Sequence, residues 1–305
     1  MNIRQLRYFI GVLEAGNMTR AASRLHVAQT ALGMQIRLLE EDVGVDLLVR
    51  HSRGVSPTPA GTLLHARALE ILSLVEHTRR EVAEAGGEQT EPIRFGTTPA
   101  LMPIVGPEIA LVVRKDLPKV SLSMVEAMSH ILFAQLVGGE IDFMLGYDVP
   151  EQAGVSRTAL LQDELVLVTP PGATRGEPIT FASALKEVLA MPEPGDTVRA
   201  VVVRQAEDLG IELKVTYEVR SVSAMKNLVG RGVACSVLPY FAVADEVRDG
   251  RLNARPIMQP AIRRTLFLAY SSHRLRFRNE AGLTVAVRAS IKGLLDVLGP
   301  LGHPV

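Results

Sequence analysis

The sequence predicts a multi-domain α/β chain: an all-α N-terminal head with a helix-turn-helix pattern and a wing, a long linker helix, and a larger C-terminal α/β module. Three observations carry this expectation. Apolar stripes at helical spacing recur through residues 1–42. A four-three alternation of apolar and small residues runs from 64 to 85. From residue 93 onward strand-like and helix-like segments alternate, the order that builds a largely parallel sheet.

Composition sets the outer bounds. With 305 residues the chain has room for about two or three domains. At 47% hydrophobic and 22% charged it is ordinary globular material, which excludes a disordered or collagen-like chain. No apolar run approaches the roughly 18–20 residues of a membrane span, so no membrane partner is expected. MNIRQLRYFIGVLEAGN lacks a long apolar segment followed by a small-residue cleavage site, so no signal peptide is expected. The single cysteine, Cys235, cannot form an internal disulfide, which fits a cytoplasmic protein. Net charge is zero, yet residues 1–60 hold seven Arg and five acids, whereas 62–91 hold three Arg and six acids. The head is the early segment best suited to an anionic partner.

In the head, Leu6, Phe9, Ile10 and Leu13 mark a first helix that Gly16-Asn17 ends, with Asn17 capping the next. Residues 19–25 make a second helix, His26-Val27-Ala28 a turn, and 29–42 a third helix with Leu32, Ile36 and Leu39 inward. Gln29, Thr30, Gly33, Met34 and Arg37 then share the opposite face, and Thr19 stands near its start. Two helices on a short turn, the second turning polar groups outward, suit double-stranded DNA: short side chains enter the major groove and Arg neutralises phosphate. Arg50-His51-Ser52-Arg53-Gly54-Val55 reads as a basic wing. The same spacing also fits a plain helical bundle with an Arg-studded surface.

Residues 1–61 resemble the N-terminal domain of LysR-type transcriptional regulators along their whole length, through RQLRYF, T-RAA-RLHVAQ, IRLLEE, GV-LLVR and RGV-PT-AG. In detail they look most like the nitrogen-assimilation-control branch. The resemblance implies base or groove contacts from Gln29 and Arg53. Three positions depart from it: Thr30 stands where the family usually has Pro, Gly33 where it has Ser, and Met34 where Arg, Lys or Gln is frequent. Glycine at 33 removes a side-chain contact and costs the helix about 1 kcal/mol.

Thr58-Pro59 opens the connecting helix and Gly86-Gly87 closes it. Leu64, Ala68, Ile71, Val75, Thr78, Val82 and Ala85 form a seam of coiled-coil type; a helix packed only on its own domain is the alternative. In the resembled family this helix pairs two chains. A homodimer or homotetramer on a two-fold symmetric site is therefore implied, as is contact with RNA polymerase.

Beyond GGEQTEP the reading is strand 93–96, helix 103–115, strand 120–126, helix 129–138 and strand 141–147. It continues with strand 164–169, helix 181–190, a strand near 198–203, helix 204–209, strand 213–219 and helix 222–231. Strand 234–238, a helix near 239–248, strand 265–271 and helix 280–298 complete it. GGEIDFMLGY, DELVLVTP, LVGRGVACSVLP and TLFLAYSSHR resemble the LysR-type effector domain, which implies a two-lobed, periplasmic-binding-protein-like fold. The implied boundaries are 1–58 for the head, 59–87 for the linker, and 92–305 for the effector domain. Lobe one takes 92–160 and 268–305, and lobe two takes 161–267. A small molecule would sit between the lobes. Thr97, Thr98, Ser129, His130, Tyr147, Thr197 and Arg199 are the expected contacts, hydroxyls at helix starts plus one guanidinium favouring an anion such as a carboxylate. Ser129 also reads as a simple cap, and Arg199 as a solvated surface residue. Ala100 stands where family sites often carry Ser or Thr.

No cofactor or metal is expected: the seven His never fall at i, i+4, and phosphate-loop, metalloprotease and nucleophile-elbow motifs are missing. Two rival readings remain. One is a constitutive DNA-binding protein with a vestigial cleft, motivated by Ala100 and Met128. The other is an enzyme fused to a DNA-binding head, against which stands the lack of a convergent acid–base pair.

Overall fold

A computed structural model of the chain describes residues 1–51, 54–85, 90–152, 154–172, 176–271 and 279–305, apart from the side chains of 73, 76, 77, 80, 81 and 83–85. Arg53 and Gly86-Gly87, singled out above, lie outside the described residues. The chain divides into two compact units. One is built on Met1–Glu88, the other on Gln89–Leu136, Ile141–Ser272 and Arg276–Val305.

The first unit runs α1 (Ile3–Ala15), α2 (Met18–Arg24), α3 (Gln29–Val43), β1 (Leu48–His51), β2 (Gly54–Pro57) and α4 (Pro59–Ala85). Asn2 and Gln5 exchange side-chain-to-backbone bonds of 3.0 Å, a capping box that starts α1. The Asn17 carboxamide oxygen accepts from Thr19 N at 2.9 Å and starts α2. Phe9, Val12, Ala21, Leu32, Ile36, Leu39 and Leu47 close the core between the three helices. The hairpin is held close by glycine. Val55 N donates to the Gly16 carbonyl at 2.9 Å, and a Cβ on Gly54, whose φ is +142°, would fall 2.3 Å from that same oxygen. Thr58 starts α4: its hydroxyl accepts from Gly61 N at 2.9 Å and donates to the Asp46 carbonyl at 2.8 Å.

The second unit opens with β3 (Glu91–Thr97), α5 (Met102–Asp116), β4 (Val120–Glu126), α6 (Ser129–Val137), β5 (Phe143–Tyr147) and β6 (Val155–Thr169). It continues with β7 (Ile179–Thr180), α7 (Phe181–Ala184), β8 (Leu189–Met191), α8 (Thr197–Asp208), β9 (Val215–Glu218) and α9 (Val222–Gly230). It closes with β10 (Ser236–Pro239), α10 (Ala244–Arg248), β11 (Asn253–Met258), β12 (Arg263–Ser271), α11 (Glu280–Leu298) and β13 (Gly302–Pro304). Strands order as β4-β3-β5-β12-β6-β11-β7, with β10 and β13 also pairing β6. One core gathers Ile93, Phe95, Ile109, Leu145, Leu266 and Leu294. Another gathers Leu165, Leu167, Phe181, Val202 and Val237.

Several expectations need correction. The sheet is mixed rather than largely parallel. β3, β4 and β5 are parallel, but β6 runs antiparallel to β12, β10, β11 and β13. The 15-residue β6 serves both cores, with Leu161 in one and Leu165 and Leu167 in the other, and the returning β12 pairs along it in the opposite direction. Residues 198–203 are not a strand: α8 spans them. Asp196 caps it, accepting from Val198 N at 2.7 Å, and Val198, Val202 and Ala206 bury one stripe. The run of β-branched valines suggests strand, and burial at a spacing of four overrides that propensity. The helix expected over 181–190 ends at Ala184, because Leu189, Ala190 and Met191 are consecutively buried as a strand. The helix expected near 239–248 is a 3₁₀ turn at Tyr240–Ala242 followed by α10. The short strands β7, β11 and β13 have no counterpart among the expected elements.

Candidate nucleic-acid interface and ligand cleft

On the first unit, Met18, Gln29, Thr30, Gly33, Met34, Arg37 and Arg50 line one open hollow of about 380 Å³. This brings together every described residue predicted for the groove except Thr19, and adds Met18. Residues 30, 33, 34 and 37 stack because positions three and four apart share a helix face. Arg37 and Arg50 are exposed there. Thr19 is not among the lining residues, but its hydroxyl donates to Gln29 Oε1 at 3.0 Å, which leaves the Gln29 amide nitrogen as an outward donor. The residue before α3 is Ala28, which makes no side-chain cap, so the first amides of the 15-residue helix are left for an external acceptor such as phosphate.

The expected seam on α4 is only partly free. Ala68 is fully buried against Leu6 and Ile10 of α1, with Leu64 and Ile71 packed on the same cluster. Ala68 is therefore not a partner contact: the small side chain lets α4 lie close on its own head. Val75 is half-buried. Leu63, Leu74 and Val82 are 63%, 55% and 68% exposed, so the free apolar surface lies elsewhere on the helix and toward its C-terminal half.

In the second unit Thr98, Ser129, Tyr147 and Thr197 meet around one cavity of about 60 Å³, together with Ala100, Met128, Arg220 and Arg264. The floor is a buried polar cluster. Arg264 Nη2 donates to Asp163 Oδ2 at 2.7 Å, and the Tyr147 hydroxyl donates to the same oxygen at 3.3 Å. Arg264 and Asp163 are 3% and 0% exposed. Burial, and then the neighbouring Asp163 carboxylate, push the Tyr147 phenol well above its ordinary range, so it stays a donor. Burial works against the Arg264 charge, but Asp163, Tyr147 and Asp196 together outweigh it, so the guanidinium proton is held more tightly than usual. Among the described residues, Arg264 Nε and Asp163 Oδ1 have no hydrogen-bond partner. Ser129 Oγ accepts from Tyr147 N at 3.0 Å, which leaves its proton free to point elsewhere.

Three expected contacts are corrected. Thr97 is fully buried in the sheet and its hydroxyl donates to the Leu145 carbonyl at 3.0 Å, a structural bond. His130 is exposed, lies against Gly195 and is not among the cavity-lining residues. Arg199 is spent within its own lobe, donating to the Pro192 carbonyl at 2.9 Å and to Glu218 at 2.7 Å. Sequence reasoning missed Arg264 and its partner Asp163. In the sequence they stand beside other charges, Arg157 and Glu164 on β6 and Arg263 on β12, so nothing local singles them out.

Comparison with known proteins places this geometry. The family model described as "Bacterial regulatory helix-turn-helix protein, lysR family" matches residues 3–62, and "LysR substrate binding domain" matches residues 86–288. The DNA-binding transcriptional dual regulator OxyR of Escherichia coli (strain K12) is 32% identical over 300 residues, 97% of this chain and 98% of that protein. The nitrogen assimilation regulatory protein nac of Klebsiella aerogenes is 31% identical over 247 residues, 79% of each. A full-length OxyR variant from Pseudomonas aeruginosa superposes with a TM-score of 0.60 at 25% identity, covering 94% of this chain and 98% of that one.

Proposed function

Because the chain belongs to the LysR family of DNA-binding transcriptional regulators, we propose that it binds a two-fold symmetric operator through α3 and the β1–β2 wing and answers to a small carboxylate in the cleft above Arg264. Two chains pair through the exposed apolar residues of α4, and two such dimers associate through the α/β units. The protein acts in the cytoplasm, where it meets DNA and RNA polymerase.

The observation that carries the effector reading is the buried cation. Arg264, whose Nε has no hydrogen-bond partner among the described residues, lines a cavity that Thr98, Ser129 and Thr197 also line. An acceptor-only ligand complements donors of that kind. The cavity, about 60 Å³, is small, which favours a small anion over a bulky effector. A ligand that binds the parted and closed forms unequally shifts their balance, and through it the spacing of paired heads on DNA.

Selection of bound duplexes from a random pool, followed by calorimetric titration with one- to four-carbon carboxylates, tests both halves. A symmetric site and a carboxylate whose binding is lost in Arg264→Lys support the proposal. A symmetric site with no carboxylate response favours the second reading, a constitutive binder. What speaks for that reading is Asp163, which already neutralises Arg264 at 2.7 Å, together with Ala100 on the cavity wall.

Relatives named hydrogen peroxide-inducible genes activators raise a different input. The thiol of this chain does not suit it. The one cysteine, Cys235, is buried, and burial pushes its thiol up to about 11. Thiol oxidation needs an accessible thiolate, which this residue does not offer near neutral pH.

A further inference from the structure

We propose that the hollow on α3 is a thymine-methyl reader: the space beside Gly33, walled by Met34 and Met18, takes the C5-methyl group of one thymine in each operator half-site. The inference rests on α3 entering the major groove.

Gly33 is the first observation. It lies mid-helix and carries the helix-stability penalty of glycine without either of the usual reasons for it. Its backbone is not in the left-handed region, and a Cβ built on it would meet only the Met18 methyl at 3.8 Å, an ordinary contact. Nothing among the described residues asks for glycine there, and the space it leaves opens on the hollow. The second observation is Met34, which is 62% exposed on the face where groove-reading residues sit. A flexible thioether in that place adapts to an apolar shape and offers no strong hydrogen bond. Met18, half-buried at the start of α2, completes an apolar wall.

The rim decides the occupant. Arg37 and Arg50 flank the hollow, so the partner is polyanionic, and Thr30 and Gln29 at its edge supply hydrogen-bonding groups. Of the groups that the four base pairs show in the major groove, the thymine methyl is the apolar one. The apolar part of the hollow, Gly33 with Met18 and Met34, therefore matches a thymine methyl within a phosphate-lined groove, while Gln29, Thr30 and the two Arg suit the polar edges and phosphates around it.

The test uses the full chain and the duplex it selects, with each thymine replaced in turn by deoxyuridine, which lacks only the methyl. Burying one methyl is worth about fourfold in affinity, so symmetric replacement in both half-sites should weaken binding by roughly fifteenfold at one position and little elsewhere. In Met34→Asn, which puts a polar amide where the thioether stood, and in Gly33→Ala, whose β-carbon fills the space, that position should lose its sensitivity to deoxyuridine. Gly33→Ala should also melt at a higher temperature, which keeps its loss of reading distinct from misfolding. Two results would overturn the inference: no position sensitive beyond twofold, or sensitivity undiminished in both variants. Loss of binding to every duplex at low salt would instead remove the groove-binding premise, and the inference with it.

Discussion

The guanidinium carbon of Arg264 sits 3.7 Å from the centroid of the Tyr147 ring, stacked on its face while bonding Asp163 at its edge. The register of the sheet makes this possible. Arg264 on β12 is opposite Asp163 on β6, and β12 also pairs with β5, which ends at Tyr147. Three neighbouring strands, β5, β12 and β6, thus meet at one buried charge.

Removing that charge should be expensive. Arg264→Ala leaves Asp163 buried without its cation, and breaking a desolvated pair costs about 3–5 kcal/mol. Urea unfolding of the second unit should show a loss of that order. The double variant Arg264→Met, Asp163→Leu should recover most of it, because the penalty lies in the orphaned ion and not in the lost pair. A single-variant loss under about 1 kcal/mol would mean that solvent reaches the pair.

Gly61 sets a sharper steric limit. A Cβ there would lie 2.0 Å from the Leu47 carbonyl oxygen, a backbone atom that cannot swing aside. Gly61→Ala should destabilise the head by about 3 kcal/mol, at the upper end of ordinary overpacking. In contrast, Gly293 in α11 is exposed with nothing within 4 Å of its would-be Cβ, and Gly293→Ala should stabilise by about 0.5–1 kcal/mol. Thermal melts of the two variants should move in opposite directions.

These cases also mark what the sequence can reveal. The head is legible because its rules are local: Leu32, Ile36 and Leu39 declare a helix face, and Asn17 declares a helix start. The helix 280–298 is legible for the same reason. α8 is misread because valine's local preference for strand conflicts with packing that only the folded lobe supplies. Arg199 suggests itself for the cleft because a guanidinium near a helix start is a local signal. Arg264 is invisible because its meaning depends on pairing with a residue 101 positions away. Ala68 fits a seam equally well whether α1 or a second chain covers it, and spacing along one helix carries no record of which neighbour arrives first.

His65 on α4 makes stability depend on pH. Burial lowers its imidazole below the ordinary value near 6.5. The folded head therefore holds it neutral, while the unfolded chain takes up a proton near 6.5. The stability this residue contributes is fully present above that pH. It declines as pH falls below it, until the folded-state value is also passed. Urea midpoints followed from about pH 8 to about pH 5 should fall on the acid side, and His65→Asn should flatten that slope. An unchanged slope would assign the pH dependence to other groups.

The exposed apolar residues of α4 bear on assembly. Leu74 and Val82 stand in solvent on the single chain, whereas Ala68 is enclosed by Leu6 and Ile10. Charges placed at the two kinds of position should have opposite consequences. Leu74→Glu and Val82→Glu, made together, should leave the melting of the head nearly unchanged and weaken self-association at least tenfold in sedimentation velocity. That is roughly 1.4 kcal/mol, a modest share of what two buried aliphatic side chains contribute at about 1.5–3 kcal/mol each. Ala68→Glu should lower the melting temperature of the head itself, because an unpaired carboxylate is forced between α1 and α4. If the double variant associates as tightly as the parent, another surface holds the two chains together. If Ala68→Glu folds normally yet fails to associate, α4 has left α1 to pair with its partner, and the seam expected from the spacing is the one used in the dimer.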